Sequence, residues 1–91
     1  MNTFELEIVT PETKLFSGLV QSLQVPGSQG SFQVLYNHAP IISTLGKGRL
    51  RFVDEKGNEH LYHTEDGVVE VLKNKAIVLV EKVAEPQEAE A

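Results

Sequence analysis

Turn signals recur along this chain too often for a helix of ordinary length to fit between them. Thr10-Pro11, Ser17-Gly18, Pro26-Gly27, Asn37 to Pro40, Gly46 to Gly48, Lys56-Gly57-Asn58, Asp66-Gly67 and Lys73-Asn74-Lys75 all join residues that tolerate positive φ, fix φ or bind their own backbone. Between them polarity alternates with a period of two. Phe4, Leu6 and Ile8 are interleaved with Glu5 and Glu7, and Leu50 and Phe52 with Arg49 and Arg51, which sets one face in a core and the other in water. The pattern predicts an all-β protein, a flattened antiparallel β-sandwich or barrel of about nine to ten short strands in two sheets. The expected strands are 4–9, 14–16, 19–25, 32–35, 41–45, 49–54, 59–64, 68–72 and 76–82. The expected core includes Ile8, Leu23, Val25, Phe32, Val34, Leu50, Val69, Val71, Ile77 and Leu79.

Ninety-one residues allow one domain with one thin core and exclude a cleft between domains. The expected organisation is a sandwich over 1–83 and an acidic, disordered C-terminal tail over 84–91, where Pro86 sits among alternating Glu and Ala. With no cysteine there is no disulfide, thiolate nucleophile or zinc-thiolate site, which fits a reducing interior. The start, MNTFELEIVT, has neither a basic segment nor a long apolar one, and no later stretch approaches the roughly 18 apolar residues of a membrane helix. Direct membrane insertion is therefore not expected.

The net charge is −5, and three of those negative charges sit on Glu85, Glu88 and Glu90, so the body before them carries −2. A nearly neutral body gives no electrostatic basis for nucleic-acid binding. Lys47, Arg49 and Arg51 sit two apart on one strand face, but no aromatic residue lies among them to stack on bases, and a solvated outer face is expected.

Two strands break the alternation. Ala76-Ile77-Val78-Leu79-Val80 is apolar on both faces, and Ile41-Ile42 with Leu45 comes close. A half-exposed antiparallel strand carries polar residues outside. The second apolar face either lies where the barrel curls over itself or meets another protein.

No catalytic constellation survives its geometry. His60 and His63 point to opposite faces of a strand and cannot share a metal ion. Gly27-Ser28-Gln29-Gly30-Ser31 lacks the lysine and the following helix of a phosphate loop. No serine lies in a GxSxG elbow. The expectation is a non-enzyme with no cofactor and no metal. His38, in the corner NHAP, either caps neighbouring backbone groups or contacts a partner, with Pro40 holding Ala39 extended.

Three segments in order, KLFSG at 14–18, VPGSQGSFQVLYNHAPIISTL at 25–45 and GVVEVLKNKAIVLVEK at 67–82, closely resemble the N-terminal β-sandwich of the epsilon subunit of the rotary F-type ATP synthase. The match runs in register from Phe4 to Glu81. The resemblance implies a non-catalytic central-stalk subunit that braces gamma against the membrane ring of c subunits, so that proton or sodium flow is coupled to ATP synthesis. It implies a peripheral position on the cytoplasmic face of the cell inner membrane. Carried over residue by residue, it places Gly27, Ser28, Gln29, Gly30 and Ser31 against the c-ring, and Leu15, Phe16, His38, Ala39, Pro40, Ile42 and Ser43 against gamma. Departures from the family pattern are Ser31, where some members are acidic, and Gln33 and Tyr36, where glycine and proline are frequent. The C-terminal helical hairpin of most bacterial members has no counterpart in these residues. The competing expectation is a free-standing small β-barrel binding a small molecule or an oligonucleotide, which would need an aromatic face or a basic groove.

Overall fold

A computed structural model describes residues 2–84, and of Lys82 and Ala84 the backbone alone. Seven strands follow one another among these residues: β1 Phe4–Val9, β2 Lys14–Gly27, β3 Gly30–Val34, β4 Ile41–Leu45, β5 Gly48–Asp54, β6 Glu59–Leu72 and β7 Lys75–Ala84. Seven replace the nine expected because two of the turn signals are bends inside long strands. Ser17 and Gly18 stay paired with Glu7 and Leu6, so 14–16 and 19–25 are one strand. Glu65 and Gly67 stay paired with Lys82 and Val80, so 59–64 and 68–72 are one strand. Gly67 is required there for space: a Cβ would stand 2.4 Å from the Leu79 carbonyl oxygen.

The long strands change partners along their length, and this folds one hydrogen-bonded sheet over itself. β2 pairs with β1 through its first half, then with β5 and β3, while β6 pairs with β5 over Glu59–Thr64 and with β4 over Gly67–Val71. The ring β1–β7–β6–β5–β2–β1 closes, β4 also lies between β6 and β2, and β3 ends the path beyond β2. One pairing departs from the antiparallel expectation: β1 and β7 run parallel, from Glu5 opposite Lys75 to Val9 opposite Leu79. The Ala84 assigned to the tail ends β7 opposite His63. The remainder of that tail, 85–91, lies outside the described residues.

Seven of the ten expected core residues are buried and Phe32 packs against them, while two corrections fall in β7. Ala76, Val78 and Val80 are buried, whereas Ile77 is half-buried and Leu79 is 51% exposed. A run apolar on both faces carries no phase information, so the register decides: Val78 lies opposite Ile8 and Val69, both buried. Phe32 is half-buried, its ring lying beside Gly27 near the turn of the β2–β3 hairpin. The aromatic centre is Phe52, fully buried, with the Phe16 ring 4.4 Å away and His60 stacked at 4.6 Å and 6°. His60 Nε2 lies 2.9 Å from Asp54 Oδ2. That hydrogen bond, helped by the amides of Asn58 and Lys56, holds the Asp54 carboxyl below the ordinary aspartate value.

Candidate partner-binding site

The GSQGS segment forms a tight hairpin because both of its glycines sit where a side chain is excluded. Ser28 and Gln29 make the turn between paired Gly27 and Gly30; a Cβ on Gly27 would come 2.6 Å from the Gly30 carbonyl, and Gly30 has φ +133°. The hairpin is tied to the end of β4. The Ser28 amide donates to the Thr44 carbonyl at 3.0 Å, the Ser28 and Thr44 hydroxyls lie 2.7 Å apart, and the Gly46 amide donates to the Pro26 carbonyl at 2.8 Å. Ser28, Gln29, Gly30 and Ser31 are all exposed. The backbone is thus fixed while the surface it presents is small and polar.

The NHAP corner joins β3 to β4 at the other end of both strands. Five residues at about 3.3 Å each put it roughly 15 Å from the hairpin. Asn37, at φ 65°, holds the corner to the β6–β7 turn: its amide donates to Asn74 Oδ1 at 2.6 Å, and Asn74 Nδ2 donates to Asn37 Oδ1 at 3.0 Å. Asn74 itself has φ 61°, and its carbonyl accepts from the Glu5 amide. The sequence reading missed Asn74 as a clamp, although an asparagine in a Lys-Asn-Lys turn signals positive φ. His38 uses its amide on the Leu35 carbonyl at 3.1 Å and its Nδ1 on the Ala39 carbonyl at 2.7 Å. That is the capping alternative. Ala39 and Pro40 are exposed and His38 is half-buried.

The residues expected against gamma do not form one patch. Ile42 faces outward from β4 at 72% exposure, opposite Glu70, while Ser43 is turned to the other face, opposite buried Val69. Phe16 faces inward onto Phe52 and His60. Leu15 is half-buried against the core. Following the pairings Ile42–Glu70–Ile77–Glu7–Ser17, the β2 segment carrying Leu15 and Phe16 lies four strands away from Ile42, about 19 Å across the sheet.

What does surround Ile42 is an outward apolar stripe. Val68 and Leu79 are directly paired and exposed at 36% and 51%, with Leu72 at 47% on the same strand as Val68. Leu35 and Tyr36, exposed at 49% and 42%, enter the corner beside it. Glu7, inside this face, is neutralised by Lys14 at 3.7 Å and Lys75 at 3.8 Å. Of the two explanations for the doubly apolar strands, burial by curling does not account for Ile42 or Leu79, whereas buried Leu45 lies on the inner face of β4 with Ile41 and Ser43.

His60 lies on the inner side at Phe52 and exposed His63 on the outer side opposite Arg49, as their spacing requires. Among the described residues no helix is long and apolar enough to cross a membrane.

A family model for the β-sandwich domain of the ATP synthase delta/epsilon chain matches residues 3–86. Among solved structures, the fold is similar to a chain of the Euglena gracilis mitochondrial ATP synthase, solved as OSCP/F1/c-ring in one rotational state, with a TM-score of 0.88 at 17% identity. That alignment covers 97% of this chain and 56% of the other, so this chain spans just over half the length of that relative. A chain in the central stalk and c-ring structure of the Tetrahymena thermophila mitochondrial ATP synthase is similar with a TM-score of 0.77 at 18% identity, over 96% of this chain and 69% of that one.

Proposed function

This chain belongs to the ATP synthase delta/epsilon family, through that family's β-sandwich domain, and on that premise we propose that it is a non-catalytic central-stalk subunit bracing gamma against the c-ring. Its place would be peripheral, on the face of the ion-translocating membrane where the stalk stands, and its work would be mechanical: transmission of torque between ion flow and ATP synthesis. The observation that carries the reading is the outward apolar stripe of Ile42, Val68, Leu72 and Leu79 beside the Asn37–Asn74 clamp. An exposed apolar face on a rigid support is what a permanent protein contact needs.

The two short strands β3 and β4 separate the clamped corner from the polar glycine hairpin, so one end can grip the stalk while the other meets a second partner. Gly27, Ser28, Gln29, Gly30 and Ser31 are assigned to the ring, with neutral hydrogen bonds where an acidic residue would make an ion pair. Ile42, His38, Ala39 and Pro40 are assigned to gamma, with Leu15, Phe16 and Ser43 supporting the fold around them rather than touching gamma. The test is size-exclusion chromatography of the chain with an isolated gamma subunit of the same source. A co-eluting one-to-one complex supports the assignment; separate elution at micromolar concentrations refutes it.

A further inference from the structure

The outer face of β5 and its neighbours is concave, and three of the described cations of this acidic chain gather there. Lys47, Arg49 and Arg51 line a groove whose other walls include Ser31, Leu61 and Glu59. Three cations thus face one carboxylate. Arg51 is paired with Glu59, while Lys47 and Arg49 make no ion pair among the described residues and are exposed. Arg49 and Arg51 are two apart on a strand, which spaces their Cα atoms by about 6.8 Å. Alternate side chains of a second extended segment repeat at the same interval. Guanidinium groups at that spacing are suited to bidentate contact with successive carboxylates.

The groove is also lined by half-buried Leu61, paired with Arg51, and by Glu59, an apolar and an acidic group that suit a peptide better than a dense polyphosphate; no aromatic ring is among its lining residues to stack on a base. The geometry points to this groove as a docking surface for an extended acidic segment of a partner protein, with carboxylates at alternate positions. It shares Gly27, Ser28, Gly30 and Ser31 with the hairpin assigned to the ring, but it is argued from charge and shape, and a peptide titration tests it without the ring or gamma.

The experiment uses the full chain, labelled with 15N, titrated at low ionic strength with an acetylated and amidated peptide of alternating serine and glutamate. Saturable amide shifts confined to the stretch around Ser31, Arg49, Arg51 and Leu61 are expected. Arg49→Glu should weaken them roughly tenfold and Arg49→Gln less, and added salt should weaken them further. A block peptide with its glutamates contiguous should bind more weakly than the alternating one. Equal shifts around Lys14 and Lys75, unchanged by Arg49→Glu, would overturn the proposal as general attraction to cations. Tighter saturation of the same amides by tripolyphosphate would make the groove a phosphate site instead. If the same amides move when residues 85–91 are deleted, with no peptide added, the chain's own Glu85, Glu88 and Glu90 are the occupants and the partner is not.

Discussion

Removing the ring of Phe52 should cost far more than removing that of Phe32, although both residues read as apolar strand positions in the sequence. Phe52 is fully buried, and Phe16, His60 and Tyr62 all pack their rings against it at centroid distances of 4.4, 4.6 and 6.3 Å. These neighbours belong to β2 and β6, strands that also carry the sheet from one layer to the other, and cannot close over the void without shifting. Phe52→Ala should therefore destabilise by about 3–5 kcal/mol, the range for truncating a buried phenylalanine. Phe32 is half-buried near the exposed turn of a hairpin. Its truncation removes roughly half as much area from water and leaves a dent that solvent can fill, so about 1–2 kcal/mol is expected. The assay is urea unfolding followed by circular dichroism, since the chain has no tryptophan. For a domain of this size each kcal/mol also moves the melting temperature by about 4–8 °C, which gives a second readout. Phe52→Leu, expected between the two, keeps the comparison measurable if the alanine variant is unfolded in buffer. A Phe32→Ala loss equal to or larger than that of Phe52→Ala, at unchanged m-value, would refute the placement of the core.

Gly67→Ala should lose about 2–3 kcal/mol in the same assay, because its methyl would enter the Leu79 carbonyl and the backbone of β7; a loss below 0.5 kcal/mol, within the usual range for a surface change, would mean β6 and β7 are not so close. The Thr64 hydroxyl is buried without a hydrogen-bond partner among the described residues, so Thr64→Val is expected to raise stability by about 1 kcal/mol, read from the urea midpoint. The pH dependence follows from Asp54. Its depressed pKa contributes stability that is present above the unfolded value and lost as pH falls through the lower, folded one. The stability difference between wild type and Asp54→Asn should accordingly be largest near neutrality and shrink below about pH 4, and a difference that stays constant down to pH 2 would contradict the linkage.

The fold class was legible because alternation and turn chemistry are local properties. Phe4, Leu6 and Ile8 could only be one buried face, and they are. Two things were not legible, for different reasons. A glycine such as Gly67 marks both a turn and a close approach of two backbones, and only the β6–β7 pairing distinguishes them. The phase of Ala76–Val80 depends on which neighbour it pairs with in parallel, a contact of more than sixty residues' separation that periodicity does not encode. At the site, the hairpin was visible in its glycines and the corner in Asn37 and Pro40. The clamp from Asn37 to Asn74 was not, since nothing local to either residue names the other. The set Leu15, Phe16 and Ile42 came from the family resemblance and is divided by the structure, with Phe16 serving the core.

The central claim is that the outward face around Ile42 binds gamma. Titration calorimetry of isolated gamma with wild type and Ile42→Lys tests it most directly. Lysine is preferred to glutamate because Glu70 lies directly across from Ile42, and two carboxylates there would strain the sheet itself. At 72% exposure the substitution should leave folding within about 0.5 kcal/mol of wild type, which circular dichroism and the urea midpoint verify. The account predicts a stoichiometric complex for wild type and a loss of at least about a hundredfold in affinity for Ile42→Lys, since the apolar contact is lost and the ammonium, even beside Glu70, must be stripped of water in the interface. A folded Ile42→Lys protein that binds gamma as wild type does would contradict it.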